Sequence, residues 1–315
     1  MPSISTEFNH IIKNKKTIAT ILKIISFIFY AWNDALSKQL STQGPIVMST
    51  HSIIFYQYFI TACLLLPFYL SKAMRSHQKI IAPHYHIIRI MLCTVAILLL
   101  NQSFKKMPLF YALGFNLLSP FITVAFALLC FKEKLSAHKI KALLLSVCTY
   151  LILVQSQKSH AQNTLTLFEC LKPSIALLCF QANTIVTKKL TMLKESNINL
   201  TLILFIAIPI VLLPFELSHL EIASGKQYLL LGHMAVNGAI ATFALHQAIS
   251  MAELTFLLPF GFLKYGIITV FGYLYFYEIP GYGHSIGIIL AIISLYYLHQ
   301  NEERTACSQK FIASQ

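Results

Sequence analysis

The sequence has 315 residues, of which 57% are hydrophobic and only 11% are Asp, Glu, Lys or Arg. A soluble domain carries about 25% charged residues, so a soluble chain of this length could not cover its surface with so few charges. The composition excludes a soluble globular protein, and the hydrophobicity excludes a disordered chain. The remaining class is an integral membrane protein.

Ten apolar runs follow one another along the chain, each long enough to cross a hydrocarbon core of about 30 Å as one helix. The runs are continuous and do not alternate with polar residues, which excludes the strands of a membrane barrel. The predicted fold class is therefore all-α. The predicted spans, numbered one to ten in chain order, are 17–38, 50–70, 86–104, 109–131, 137–155, 167–187, 198–217, 227–249, 254–277 and 284–299.

The formal net charge of +13 is distributed unevenly between the two sides of the membrane. If the N-terminus is cytoplasmic, most Lys and Arg residues fall in cytoplasmic segments, as the positive-inside rule requires. We therefore expect a multi-pass protein of the inner (cytoplasmic) membrane with both termini in the cytoplasm. The excess of Lys and Arg in the cytoplasmic segments accounts for the positive net charge, so no nucleic-acid partner is expected.

Two short sequence similarities indicate an internal repeat. Residues 33–40 match 183–190 at Asn, Ser or Thr, Lys and Leu positions, 150 residues apart. Residues 126–133 match 271–278 at two Phe positions, a Leu and a Glu, 145 residues apart. Because both matches fall on equivalent spans at nearly one offset, they predict two related halves.

Each half contains five spans, and an odd number inserts the second half upside down relative to the first. Inverted repeats are typical of secondary transporters, whose substrate site lies near the bilayer midplane between the halves. The predicted organisation is a cytoplasmic tail over 1–16, a first half over 17–155, a linker over 156–166, a second half over 167–299 and a cytoplasmic tail over 300–315.

The chain resembles the ten-helix, EamA-like members of the drug/metabolite transporter superfamily. The resemblance covers about residues 17–299 and rests on the two halves, on Pro120 followed by the segment 131–136 (Phe-Lys-Glu-Lys-Leu-Ser), and on 276–281 (Phe-Tyr-Glu-Ile-Pro-Gly). It implies two EamA-like five-helix repeats and a transport function. The glutamates of these segments, Glu133 and Glu278, are expected to have structural or gating roles.

A narrower resemblance is to the S-adenosylmethionine transporters of intracellular bacteria. It rests on Asn33-Asp34 followed by Ser37-Lys38, on 65–68 (Leu-Leu-Pro-Phe), on 86–89 (His-Ile-Ile-Arg) and on Lys188-Lys189. The chain departs from that group at four positions that we expect to line a cavity, namely Gln57, Thr184, Gly261 and Lys264.

Among the charged residues within the predicted spans, where a charge costs about 2.5–3.5 kcal/mol on insertion scales, we select two as candidate cavity residues. Lys264 is predicted either to anchor a substrate anion in a cavity or to form a structural ion pair, for which Asp34 is a candidate partner. Asp34 could bind a substrate amine or sulfonium or carry a coupling proton, or it could face the water at the helix end.

Uncharged polar residues within the spans are candidates for either ligand contacts or helix–helix hydrogen bonds. We select Asn33, Gln57 and Asn183 as substrate-binding candidates. Trp32 is a further candidate, since its ring could stack on a nucleobase or cap a cation. The alternative for Trp32 is a place in the aromatic belt at the lipid interface.

These features predict a secondary-active transporter that moves a small polar metabolite by alternating access, with S-adenosylmethionine as a candidate substrate. An amino-acid or drug exporter of the same family is the alternative, and a non-transporting membrane scaffold or channel is the alternative from another class. We expect no enzymatic activity, no cofactor and no metal, since no suitable motif occurs and no P-loop is present. The expected partners are the substrate and the lipid bilayer, and the chain is expected to be a monomer or homodimer.

Overall fold

The computed structural model of the chain describes residues 4–43, 47–73, 80–114, 167–218, 221–257 and 260–279, together with single residues or pairs within 122–152 and 282–293. All regular secondary structure in these residues is helical, as the apolar runs predict. The helices are α1 (Ile4–Thr42), α2 (Thr50–Ala73), α3 (Pro83–Phe104), α4 (Leu109–Gly114), α5 (Leu167–Met192), α6 (Asn197–Ser218), α7 (Gly225–Met251), α8 (Leu254–Leu257) and α9 (Gly261–Phe276).

Among the described residues, five helices are long and apolar enough to cross a membrane, and they correspond to predicted spans one, two, three, seven and eight. Their apolar segments are Lys15–Thr42, Thr50–Pro67, Pro83–Phe104, Asn197–Ser218 and Gly225–Met251. Helix α5 occupies predicted span six, α8 and α9 occupy span nine, and α4 begins span four. Spans five and ten lie almost entirely outside the described residues, and Glu133 lies outside them as well.

The distribution of polar and apolar side chains is that of a membrane protein. Arg89 and Thr61 are fully buried, whereas Ile87, Ile210 and Leu229 are 61%, 63% and 77% exposed. Exposure of large apolar side chains suits contact with lipid, and burial of polar groups inside the bundle removes them from hydrocarbon. The chain is therefore a multi-pass membrane protein.

The helices pack across the two halves in pairs that follow the predicted repeat. α1 packs along α7, and α3 packs along α5. In the predicted repeat, spans one and six are equivalent, as are spans three and eight, so exchanging the halves converts the first contact into the second. The contact between α2 and α6 joins spans two and seven, which the same exchange maps onto itself.

Two lysine contacts repeat in the same way at atomic detail. Lys38 Nζ donates to the backbone oxygen of Met107 at 3.1 Å, and Lys188 Nζ donates to that of Ala252 at 2.7 Å. The two lysines are one of the repeat pairs at offset 150. The two acceptors are separated by the second offset, 145, so both partners in this contact occupy equivalent positions of the halves.

Small residues let α7 approach its neighbours closely. Ala235, Ala241 and Ala244 are buried, and Gly238 packs against polar side chains of α1 and α2. A Cβ atom at Gly238 would lie 3.0 Å from Gln57 Nε2 and 3.3 Å from Asn33 Nδ2. The absence of a side chain at this position therefore leaves room for two of the predicted site residues.

Candidate substrate-binding cavity

A cavity of about 230 Å³ lies between helices of both halves. Its wall contains residues of α1, α2 and α3 from the first half and of α5, α6, α7 and α9 from the second. A cavity between inverted halves is the place where secondary transporters bind their substrate.

Five of the six predicted substrate-binding residues line this cavity. They are Asn33, Asp34, Gln57, Asn183 and Lys264. They come from four helices and both halves, so the fold brings together residues that are far apart along the chain. Their role in binding stays a prediction.

Trp32, the sixth predicted residue, is not in the cavity wall. Its ring lies edge-on to His233, with ring centroids 4.7 Å apart, and stacks on Phe271 at 6.4 Å. Successive residues of a helix point about 100° apart, so Trp32 faces a different neighbour from Asn33 and Asp34. The structure places it in side-chain packing rather than against the space for a substrate.

Asp34 and Lys264 form an ion pair inside the cavity, with 3.1 Å between Lys264 Nζ and Asp34 Oδ2. The ammonium of Lys264 also lies 5.6 Å from the centroid of the Tyr30 ring, where the ring face attracts a cation. The Tyr30 hydroxyl is fixed by a hydrogen bond of 2.9 Å with Thr242. Lys264 therefore has the predicted ion pair with Asp34 and lines the cavity, and its role as an anchor of a substrate anion stays a prediction.

Two amide oxygens of the cavity residues have free hydrogen-bonding capacity. Oδ1 of Asn33 and Oδ1 of Asn183 are buried and accept no hydrogen bond from any residue that the structure describes. These asparagines are equivalent in the repeat. Since a buried carbonyl oxygen without a donor is costly, both atoms suit the N–H or O–H donors of a bound molecule.

The four positions at which the chain departs from the S-adenosylmethionine transporter group all line the cavity. They are Gln57, Thr184, Gly261 and Lys264. The expected departures therefore concern the surface that a substrate would touch.

Lys23 is a cavity residue that the site prediction omitted. It lines the cavity, and its ammonium lies 4.7 Å from the centroid of the Phe27 ring. The sequence signal for it is periodic, because the cavity face of α1 recurs in steps of three or four residues. The positions are 23, 27, 30, 34 and 37, the spacing of one helix face.

A second group that the prediction omitted surrounds Arg89, which is fully buried. Its guanidinium donates to the Leu200 backbone oxygen at 3.3 Å and to His246 Nε2 at 3.1 Å. The Thr201 hydroxyl donates to the Asn197 backbone oxygen, so it accepts from His246 Nδ1 at 2.8 Å. These bonds assign His246 as the neutral Nδ1–H tautomer.

His86 and Glu195 continue this polar group beside α3. His86 Nε2 lies 3.3 Å from Glu195 Oε2, and the same carboxylate accepts the Ile81 N–H at 2.6 Å and the Asn199 amide at 2.8 Å. The segment 86–89, which carries part of the narrower resemblance, therefore supplies buried contacts between α3 and the second half.

Glu278, one of the two predicted structural or gating residues, connects separate elements. Its carboxylate pairs with Lys38 of α1 and accepts the Leu109 N–H at the start of α4 at 2.9 Å. Gly272 leaves space for it, since a Cβ atom there would lie 3.0 Å from Glu278 Oε2. No cluster of His, Cys, Asp or Glu within the described part of the chain could hold a metal ion.

Comparisons with known proteins agree with this geometry. The sequence profile of the EamA-like transporter family matches residues 17–155. The S-adenosylmethionine uptake transporter of Rickettsia felis is 24% identical over 91% of this chain and 94% of its own length, and that of Rickettsia conorii is 24% identical over 89% and 92%.

A solved crystal structure of another protein has the same fold, with a TM-score of 0.70 at 11% identity. The match covers 91% of this chain and 98% of that one. At this identity the likeness concerns the fold alone. The profile match identifies residues 17–155 as an EamA-like transporter domain.

Proposed function

We propose that this protein is a secondary-active transporter that moves a small polar metabolite across the membrane by alternating access, and that S-adenosylmethionine is its substrate. The observation that carries the proposal is the cavity between the two halves, lined by charged groups of both signs. The family domain supports transport, and the names of the relatives from Rickettsia support the substrate.

The chemistry of the cavity favours a zwitterionic molecule. Asp34 can attract an ammonium or a sulfonium, and the lysines can attract a carboxylate. The free Oδ1 atoms of Asn33 and Asn183 suit the donors of an amino group or a ribose. S-adenosylmethionine carries all these groups. An amino acid carries some of them and is the second candidate substrate for the same cavity.

The proposal includes the organisation of the chain in its membrane. Residues 17–155 and 167–299 form the two inverted halves, and both termini lie in the cytoplasm at the inner membrane. The proposal includes a monomer or a homodimer of the chain. No chemical step on the substrate is proposed.

The test is counterflow of radiolabelled S-adenosylmethionine in proteoliposomes that contain the purified protein. We expect labelled substrate to enter faster when the lumen holds unlabelled substrate, because a carrier must return its site across the membrane. A channel shows no such stimulation, and a scaffold shows no uptake. Chromatography of the internal label distinguishes transport from chemical conversion.

A panel of amino acids provides the comparison for the substrate. Inhibition of uptake by S-adenosylmethionine and S-adenosylhomocysteine, with little effect of free amino acids, supports the adenosyl substrate. Counterflow with an amino acid alone would keep the transport function and overturn the proposed substrate. Absence of counterflow with every compound, from protein shown to be folded, would overturn the transport function.

A further inference from the structure

Three charged side chains among the described residues line the cavity, namely Lys23, Asp34 and Lys264. The ion pair between Asp34 and Lys264 leaves the ammonium of Lys23 without a carboxylate partner in the described part of the chain. This ammonium lies over the Phe27 ring. The described cavity wall therefore holds two lysines and one carboxylate.

His246, also in the cavity wall, does not compensate this charge. The imidazole of His246 accepts a hydrogen bond from Arg89 at Nε2. The ring is therefore neutral. An ammonium inside a membrane protein needs an anion, a water-filled space or both. A carboxylate that enters with the substrate would supply the anion.

We infer that Lys23 binds the substrate carboxylate and sets the orientation of the substrate in the cavity, an inference that rests on the proposed transport of S-adenosylmethionine. Lys23 and Asp34 are eleven positions apart on α1, which corresponds to about 16 Å along the helix axis at about 1.5 Å per residue. An amino-acid head group is too short to contact both helix positions.

An extended substrate with different groups at its two ends fits this separation. With the carboxylate at Lys23, the adenosyl end extends toward Asn33 and Asn183, whose free Oδ1 atoms accept from amino and hydroxyl groups. The sulfonium then lies between the two ends. The cavity thus distinguishes an adenosyl amino acid from a free amino acid by length as well as by charge.

The test compares S-adenosylmethionine with its decarboxylated analogue, which lacks only the carboxylate. In the wild-type protein we expect a half-maximal inhibitory concentration about 10 to 100 times lower for the carboxylate-bearing compound, the range that corresponds to about 1.5–3 kcal/mol for a hydrogen bond to a charged group. In Lys23→Gln the ratio should fall to about 1, because only the carboxylate-bearing compound loses affinity. Lys23→Arg should keep most of the ratio.

Lys16→Gln is the matched control, since Lys16 lies two turns earlier on the same face of α1, is exposed and contacts the Phe256 ring rather than the cavity. It should keep the wild-type ratio. Thermal unfolding of the purified variants, followed with a thiol-reactive dye, establishes that each is folded and reports ligand stabilisation independently of transport.

The inference would be overturned if the Lys23→Gln variant still preferred the carboxylate-bearing compound. It would also be overturned if this variant lost affinity equally for both compounds. Failure of the wild-type protein to bind S-adenosylmethionine would instead overturn the proposed substrate. In that case methionine and methioninamide form the second pair for the same variants. The role of Lys23 would be overturned if methionine and methioninamide stabilised the wild-type protein equally. It would also be overturned if methionine stabilised Lys23→Gln and the wild-type protein equally.

Discussion

Individual charges in this protein depend on partners in the other half of the chain. Asp34 and Lys264 compensate each other inside the cavity, and Lys38 pairs with Glu278. Removing one member of such a pair leaves the other charge without compensation, which costs more than removing both. Both ion pairs therefore link the two halves, and the pair of Asp34 with Lys264 places charge where a substrate can compete for it.

Asp34→Asn should reduce uptake at least tenfold, because it removes a hydrogen-bonded charge from the proposed site and leaves Lys264 uncompensated. Initial uptake rates and melting temperatures provide the measurement. The double variant Asp34→Asn with Lys264→Gln should melt at a higher temperature than Asp34→Asn alone, although transport stays low. Glu253→Gln, at an exposed position outside the cavity wall, is the control. Unchanged uptake by Asp34→Asn would exclude this residue from the site.

At the scale of helices, close packing of α7 brings side chains of α1 and α2 to the cavity. At Gly238, the amide groups of Asn33 and Gln57 occupy the space that a side chain would fill. The lack of a side chain at this position is thus part of the packing that positions the candidate site.

Gly238→Ala should weaken substrate binding by several fold, since the new Cβ atom displaces the Gln57 and Asn33 amides. Gly232→Ala is the matched control on the same helix, because no atom lies within 4 Å of a Cβ atom at that position. The control should be neutral or slightly stabilising, as Ala is a better helix former than Gly by about 1 kcal/mol. Equal binding by the two variants would show that the contacts at Gly238 do not affect the site.

The pairing of Glu278 with Lys38 and the Leu109 N–H holds α1, α4 and the end of α9 together. Glu278→Gln should loosen this end of the bundle and expose the cavity. Cys93 lines the cavity and is buried, so its reaction with a water-soluble thiol reagent should become faster. Cys93→Ser in the same background gives the signal of the other cysteines. A rate equal to that of the wild-type protein would argue against gating by Glu278.

At the scale of the whole molecule, exchanging the two halves converts contacts between them into equivalent contacts. α1 with α7 and α3 with α5 are equivalent pairs, and the contacts of Lys38 and Lys188 with loop carbonyls are equivalent too. Two equivalent sets of contacts allow two arrangements of similar energy, open to opposite sides. This is the physical basis for alternating access in the proposed function.

The topology of the chain can be tested without a substrate. The excess of Lys and Arg in alternate segments predicts that both termini lie in the cytoplasm. Green fluorescent protein fused to either terminus should be fluorescent, and alkaline phosphatase fused to either terminus should be inactive. The opposite pattern at one terminus would require an odd number of spans, and at both termini it would require the inverse orientation.

The sequence by itself determined the membrane class and the spans that the described helices occupy, and it predicted the repeat and the polar character of most candidate cavity residues. Insertion into a membrane depends on the summed hydrophobicity of a local segment, and a polar residue such as Asn33 or Lys264 stands out in an apolar run. Repetition is equally visible, because it needs only a comparison of one segment with another. Five of the six candidate substrate-binding residues that these signals selected line the cavity.

The tertiary structure decided which side chains meet. The rotation of α1 directs Trp32 into packing with His233 and Phe271 and brings Lys23 to the cavity. The contact of α3 with the second half places Arg89 against Leu200 and His246. These partners lie far apart along the chain, and the packing of whole helices, which no local pattern encodes, determines their distance.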